Sequence, residues 1–264
     1  MKLFLLSVVS FSSMFASTWK NIHSSTVSQP NLTAQSEDLD RTMLQFDIDG
    51  FHLVPTEING DQMNSAKLEN GASLLIKGAP DVHKFSRSIV IPDDREMAVK
   101  IISSEYIDYE NVMIAPSKGN LDRSIDPNDI EFEFGSIYQK DSFYPNKLAS
   151  IEDPYILRDI RGVSVVFYPI QYNPVKNILR VYSSIEVEVY AVGPGIINVL
   201  DRASINPMRS KEFLHIYNSH FLNYNNDSRF DYLVDHGNML VISYGSFMET
   251  VQPLVDWKNK KGIA

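Results

Sequence analysis

The stretch from Ile178 to Val192, ILRVYSSIEVEVYAV, alternates residue by residue. Ile185, Val187 and Val189 fall on one side, and Glu186 and Glu188 on the other. An extended strand sorts these residues, because its successive side chains point to opposite faces. One apolar face must then be covered, so a second layer is required. Five more runs of this kind are present: LQFDIDGFHLV from Leu44, ASLLIKGAP from Ala72, RSIVIPDD from Arg87, MAVKIISSEYIDY from Met97 and VSVVFYPIQYNP from Val163. Gly, Pro and Asn separate them, and YNPVKN is expected to close a hairpin between the last two strands. The fold class predicted is mainly β, an antiparallel sandwich or barrel.

The ends of the chain depart from this pattern. Lys2 precedes an apolar stretch from Leu3 to Phe15, followed by the small residues Ala16 and Ser17. Residues 1–17 therefore read as a secretory signal peptide, too short to span a membrane. Residues 18–40 are rich in Ser, Thr and Asn without periodicity and are expected to form a flexible N-terminus. After Pro194 the strand pattern fades. Phe213, Ile216, Tyr217 and Phe221 predict a short helix, which leads into a polar linker ending at Arg229. Met239–Ser243 then reads as a buried strand. Phe247, Val251, Leu254, Val255 and Lys258 predict a helix after it, with Ser246 as N-cap, Pro253 as an interruption and Gly262 as the stop. This is one β-α unit, and a parallel sheet needs a further strand beyond it. Residues 230–264 are accordingly expected to be the beginning of an α/β domain, poorly anchored without the rest of its sheet.

The net charge is −9 with acids and bases interspersed, which argues against nucleic-acid binding. No cysteine is present, so these residues supply neither a disulfide nor a thiolate nucleophile. None of the six histidines lies in a zinc-protease spacing, and no cofactor is expected in this chain. No other stretch is long and apolar enough to span a membrane.

The strings IAPSKG from Ile114, ILRDIRG from Ile156, QYNP from Gln171 and DWKNKKG from Asp256 strongly resemble the gingipain propeptide and the start of the gingipain catalytic domain. Gingipains are secreted cysteine endopeptidases of Bacteroidetes-type bacteria, and the resemblance runs from about Leu44 to Ala264. It implies a propeptide β-sandwich over residues 41–229 that inhibits the enzyme and assists its folding and export. It implies that residues 230–264 begin a caspase-like domain whose Cys-His dyad, and any calcium site, lie beyond Ala264. This chain would then be inactive alone. Its partners would be the cognate catalytic domain, intramolecularly, and the secretion machinery. It would be exported to the periplasm and then to the cell surface or the medium.

Three sets of residues stand out in this light. Arg229, in NYNNDSRFDY, is the expected processing site, with Arg209 and Lys211 as rivals. The loop APSKGNLDRSIDP from Ala115 carries Arg123 and Lys118; a basic side chain on a rigid loop could fill the acidic pocket of an Arg- or Lys-specific peptidase, Arg123 first and Lys118 second. Asp153, Arg158, Asp159 and Arg161 are either a docking face for the catalytic domain or an internal ion-pair network. Two other classes stay open on the residues alone: a secreted β-sandwich adhesion module, and the transpeptidase-like relative of gingipains in type IX secretion.

Overall fold

A computed structural model describes residues 17–201, 211–224 and 238–263. Thirteen strands run in chain order: β1 (Thr18–Asn21), β2 (Asn31–Asp38), β3 (Arg41–Asp47), β4 (Gly50–Ile58), β5 (Asp61–Lys67), β6 (Ala72–Ser73), β7 (His83–Val90), β8 (Arg95–Tyr109), β9 (Ala149–Ile151), β10 (Tyr155–Leu157), β11 (Ile160–Phe167), β12 (Ile170–Asn173) and β13 (Ile178–Pro194). Among the described residues they form three sheets, β1-β4-β5, β10-β11-β7-β6 with β9 beside β11, and β12-β13-β3-β2 with β8 beside β13. Every strand ladder is antiparallel.

The apolar halves of the alternating strands make one core. Ile185, Val187 and Val189 of β13 and Leu44 and Phe46 of β3 are buried with Val163, Val165 and Phe167 of β11. The Phe46 and Phe167 rings stack 5.0 Å apart, joining the two five-stranded sheets face to face. Burial of such side chains contributes roughly 1.5–3 kcal/mol each. The β12–β13 hairpin forms where YNPVKN predicts it, with Asn177 in a left-handed conformation at φ 52°.

Tertiary contacts overturn several local readings. Residues 18–40 are not flexible throughout: β1 pairs with β4, and β2 pairs with β3 from Asn31 to Asp38. Backbone pairing and the Trp19 ring, which lies edge-on to His52 at 4.9 Å, hold this polar segment in place. Only Ala72–Ser73 of ASLLIKGAP is a strand; Leu75 takes φ 55°, and the chain then turns at Lys77–Gly78. Glu188 does not face water as alternation suggests. It is 5 % exposed and lies between Arg41 at 2.7 Å and Lys100 at 2.6 Å, contributed by the strands on either side.

β11 is buried on both faces, and the reason lies far along the chain. Helix α1 (Lys211–His220) ends just before Phe221, and Phe221 is buried against Gly162. A Cβ at position 162 would lie 2.3 Å from the Phe221 ring, so only glycine fits there. Asn223 accepts the Val90 N–H at 2.7 Å and donates to the Val90 carbonyl at 3.0 Å, adding a side-chain rung to the edge of β7. Phe221–Asn223 thus belong to the sandwich, not to a linker.

The described residues fall into two compact units, the sandwich up to Asp201 with Phe221–Asn223, and a second comprising those of Arg202–His220 and Tyr224–Ala264. In the second, helix α2 (Met248–Lys260) carries Pro253 in its interior and ends at Gly262, φ +79°. The Gly262 and Ile263 N–H groups donate to the Asn259 and Lys258 carbonyls, closing a Schellman motif. Ser246 does not cap the helix; it lies in a 3₁₀ turn, Gly245–Phe247, and Phe247 precedes α2. Met239–Ser243 forms no strand, and Leu240 and Ile242 are 84 % and 87 % exposed. A parallel strand needs neighbours for its N–H and C=O groups, and none of the described strands pairs with it. α2 buries none of its residues, consistent with a weakly anchored segment.

Three titratable groups should make the sandwich acid-sensitive. Burial pulls the His83 imidazole below its ordinary value against the opposing Asp81, and Nδ1 accepts the Leu68 N–H at 3.2 Å. Hydrogen bonds from Arg180 hold the Asp108 carboxyl below its usual range, and the Lys100 bond followed by the Arg41 charge does the same for Glu188. All three folded values lie below the unfolded ones. Each contribution is therefore complete above the unfolded pKa and is lost as pH falls toward the folded one. The urea midpoint should fall as pH drops below about 6.5, and again below about 4. His83→Gln should abolish the first decline only; a flat midpoint from pH 7 to 5 in the native chain would contradict this.

Candidate functional site

The segment after β8 crosses the sandwich surface as a long loop, and its two ends are pinned. At the first, Ala115 donates to Asn64 at 2.7 Å, Asp81 donates to Ala115 at 2.9 Å and Ser117 donates to Ala79 at 2.7 Å. Ile114, Ala115 and Ser117 are consequently buried. At the second, the Gly135 N–H donates to the Gly78 carbonyl at 2.9 Å, and the Tyr138 hydroxyl donates to Ile114 O at 2.8 Å. Burial, then neighbouring Tyr172, drives the Tyr138 phenol far above its ordinary value, so it stays a donor. Glycine is required at 135, because a Cβ there would stand 2.8 Å from the Gly78 carbonyl oxygen.

Between these ends the loop is ordered by its own acids. Asp122 Oδ1 accepts from the Ser124 N–H at 2.9 Å and the Ser124 hydroxyl at 2.8 Å. The Ile125 N–H donates to Asp122 O at 3.0 Å and closes a turn with Arg123 inside it. The Ser124 backbone bond, then its hydroxyl, keeps the Asp122 carboxyl below its usual range. Asp126 accepts the Asn128 N–H at 2.9 Å and starts a 3₁₀ turn over Pro127–Asp129. Short polar side chains bonding the local backbone thus replace regular structure.

The two candidate cations behave differently. Arg123 is exposed and makes no hydrogen bond or ion pair among the described residues. Lys118 is spent on the loop itself: its Nζ donates to Pro127 O at 2.6 Å and sits 4.2 Å from the centre of the Phe132 ring. Lys118 ties the loop across its middle, and Arg123 is presented.

Asp153, Arg158, Asp159 and Arg161 do not form one face. Arg158 and Asp159 are the two turn residues of the β10–β11 hairpin, Arg158 at φ 59°. Asp153 and Arg161 line a cavity of about 230 Å³ with Glu96, Glu152 and Ile196. Arg161 cannot serve a docking face, because it is 1 % exposed. Its guanidinium donates to four backbone carbonyls: Pro92 at 2.6 Å, Arg95 at 2.7 Å, Asn198 at 2.8 Å and Ile197 at 2.9 Å. These bonds, with Gly195 N to Asp94 O at 2.7 Å and Leu200 N to Asp93 O at 2.9 Å, fasten residues 195–200 to the β7–β8 turn. Burial draws the guanidinium below its ordinary value, and Asp93 and Asp94 oppose that. A carbonyl clamp, more than ion pairing, explains this charge. The signal for it was an Arg inside a buried strand just before Gly162. Arg229 and Arg209 lie outside the described residues, and Lys211 is the first residue of α1.

Among the described residues, the antiparallel sandwich thus presents an exposed Arg123 from a doubly pinned loop. Residues 23–230 match the Propeptide_C25 family, and the chain belongs to it. It is 31% identical over 264 residues to gingipain R2 of Porphyromonas gingivalis strain ATCC BAA-308 / W83, covering 98% of this chain and 35% of that protein. It is 34% identical over 224 residues to gingipain R1 of P. gingivalis, covering 84% of this chain and 22% of that protein. The chain thus spans about a third or less of the curated relatives it matches. Among solved structures, the complex of P. gingivalis RgpB pro- and mature domains matches with TM-score 0.67 and 33% identity over 75% of this chain and 100% of that chain. A structure addressing zymogenic latency of gingipain K from P. gingivalis matches with TM-score 0.57 and 21% identity, covering 67% of this chain and 100% of that one, and bears on the fold alone. No helix among the described residues is long and apolar enough to cross a membrane.

Proposed function

We propose that this chain keeps a gingipain-like cysteine endopeptidase latent by placing Arg123 in its specificity pocket. The carrying observation is Arg123, exposed on a loop pinned at both ends and without a hydrogen bond or ion pair among the described residues. A pocket carboxylate would meet the guanidinium through charge-assisted, planar bonds. Order in the free loop lowers the entropy lost on binding. Peptidases commonly read extended chains, whereas the bond after Arg123 lies in a turn closed by the Ile125 N–H. The carbonyl is then held off the line of nucleophilic attack, so Arg123 occupies the pocket without being cut. Lys118 acts behind it by keeping the loop closed. Arg158 and Asp159, at the turn of the β10–β11 hairpin, are assigned to the rim of the contact, where charges tune association rate more than affinity, while Asp153 stays with the Arg161 cavity. The interface buries on the order of 1,600 Å² in total. Contact by side chains calls for no cofactor.

Processing is assigned to Arg229. The family match ends at residue 230, directly after it, and the rival Lys211 lies in a helix, a poor conformation for cleavage. The region beyond Arg229 belongs to the peptidase domain. The apolar N-terminal stretch supports export through the secretion machinery to the periplasm and then the surface or the medium.

Adding the whole chain in trans to the mature domain of gingipain R2 tests the reading. Saturable inhibition that excess small Arg substrate relieves is expected; full activity at micromolar chain would overturn it.

A further inference from the structure

The apolar run SLLIKG, legible as a strand, instead leads into a tight turn bonded to both ends of the Arg123 loop. Leu74 points inward and packs against the core, but Leu75 and Ile76 are 48 % and 52 % exposed. Leu75 has φ +55°. A bulky side chain is a true outlier there and persists only where its surroundings impose the conformation. Just after Leu75 the chain is tied to the two pinned ends of the loop. The Gly78 N–H donates to Ser117 O at 2.9 Å, and its carbonyl accepts the Gly135 N–H at 2.9 Å. The Ala79 N–H closes the turn onto Ile76 O at 3.1 Å. Lys77 pairs with Glu133 at 2.7 Å and lies against Gly119. The turn and the Arg123 loop are therefore one rigid knot. Phe134, beside Glu133, is also large, apolar and about half exposed.

We infer that the Leu75–Ile76 turn is a hydrophobic anchor that docks on an apolar surface of the peptidase domain beside the pocket receiving Arg123. The inference rests on the inhibitory reading of Arg123. Three observations favour the peptidase domain as occupant. The turn shares its hydrogen bonds with the loop that would enter the cleft. Leu75 holds a positive φ, and it and Ile76 both leave a large apolar side chain about half exposed. The matching structure of RgpB is a complex of pro- and mature domains, so this fold is one that is covered by that partner. Arginine is enriched among interface hot spots, and apolar contacts around such a residue keep water from it.

The test measures binding of the full chain to the mature domain of gingipain R2 for the native sequence, Leu75→Gly, Ile76→Asp and Arg123→Ala, with melting temperature and oligomeric state for each. Glycine accepts the positive φ at position 75, so Leu75→Gly removes the side chain without straining the fold. Leu75→Gly and Ile76→Asp should each weaken binding about tenfold or more, with the melting temperature of Leu75→Gly not lowered. Binding of both within twofold of native, while Arg123→Ala binds weakly, would overturn the anchor and leave the inhibitory reading standing. A native dimer dissolved by Ile76→Asp with peptidase binding unchanged would also overturn it, making a second copy the occupant. No binding by the native chain would overturn both readings.

Discussion

Arg123→Ala should abolish most of the inhibition and leave the sandwich as stable as before. The side chain is exposed and has no partner among the described residues, so its removal lies in the surface class that changes stability by less than about 0.5 kcal/mol. In a peptidase pocket the same group would be one half of a desolvated ion pair, and truncating such a partner costs about 2–5 kcal/mol. The inhibition constant should therefore rise roughly 30-fold to 4,000-fold. Lys118→Ala should act differently. It frees Pro127 O and the Phe132 ring, loosens the loop, and should weaken inhibition severalfold through lost preorganisation. Both constants come from one titration of peptidase rate against chain concentration. Equal inhibition by Arg123→Ala and the native chain would remove Arg123 from the pocket.

Arg161→Met should have the largest effect on stability, because it keeps the volume and deletes every donor. Pro92, Arg95, Ile197 and Asn198 would each lose a hydrogen bond where the native side chain is fully buried. An orphaned buried carbonyl costs about 1–3 kcal/mol. Some would be rehydrated through the adjacent cavity, so a net loss of about 3–5 kcal/mol is expected. For a chain of this size that lowers the melting temperature by roughly 6–20 °C. Arg161→Lys should recover only part of it, since an ammonium has no planar fork to reach four carbonyls. Thermal unfolding followed by circular dichroism reads both. A loss below about 1 kcal/mol for Arg161→Met would show that water replaces the clamp.

The alternation of Ile185, Val187 and Val189 with Glu186 and Glu188 determined that β13 is a strand and which face meets the core, because side-chain direction has period two in any strand. The same local chemistry marked the YNPVKN hairpin, the helix ended by Gly262 and a loop carrying Arg123. Local signals could not reach further. Whether Thr18–Asn21 is ordered depends on β4, whether Glu188 is exposed depends on Arg41 and Lys100, and whether Met239–Ser243 is a strand depends on neighbours for its backbone. Arg161 and Arg123 are alike as letters in the chain. One was drawn inside by four carbonyls gathered from residues 92–95 and 197–198, and the other was left outside by a turn that offers it none. Hydrogen-bond partners distant in sequence made that choice, because an arginine can be buried only where enough acceptors converge on it.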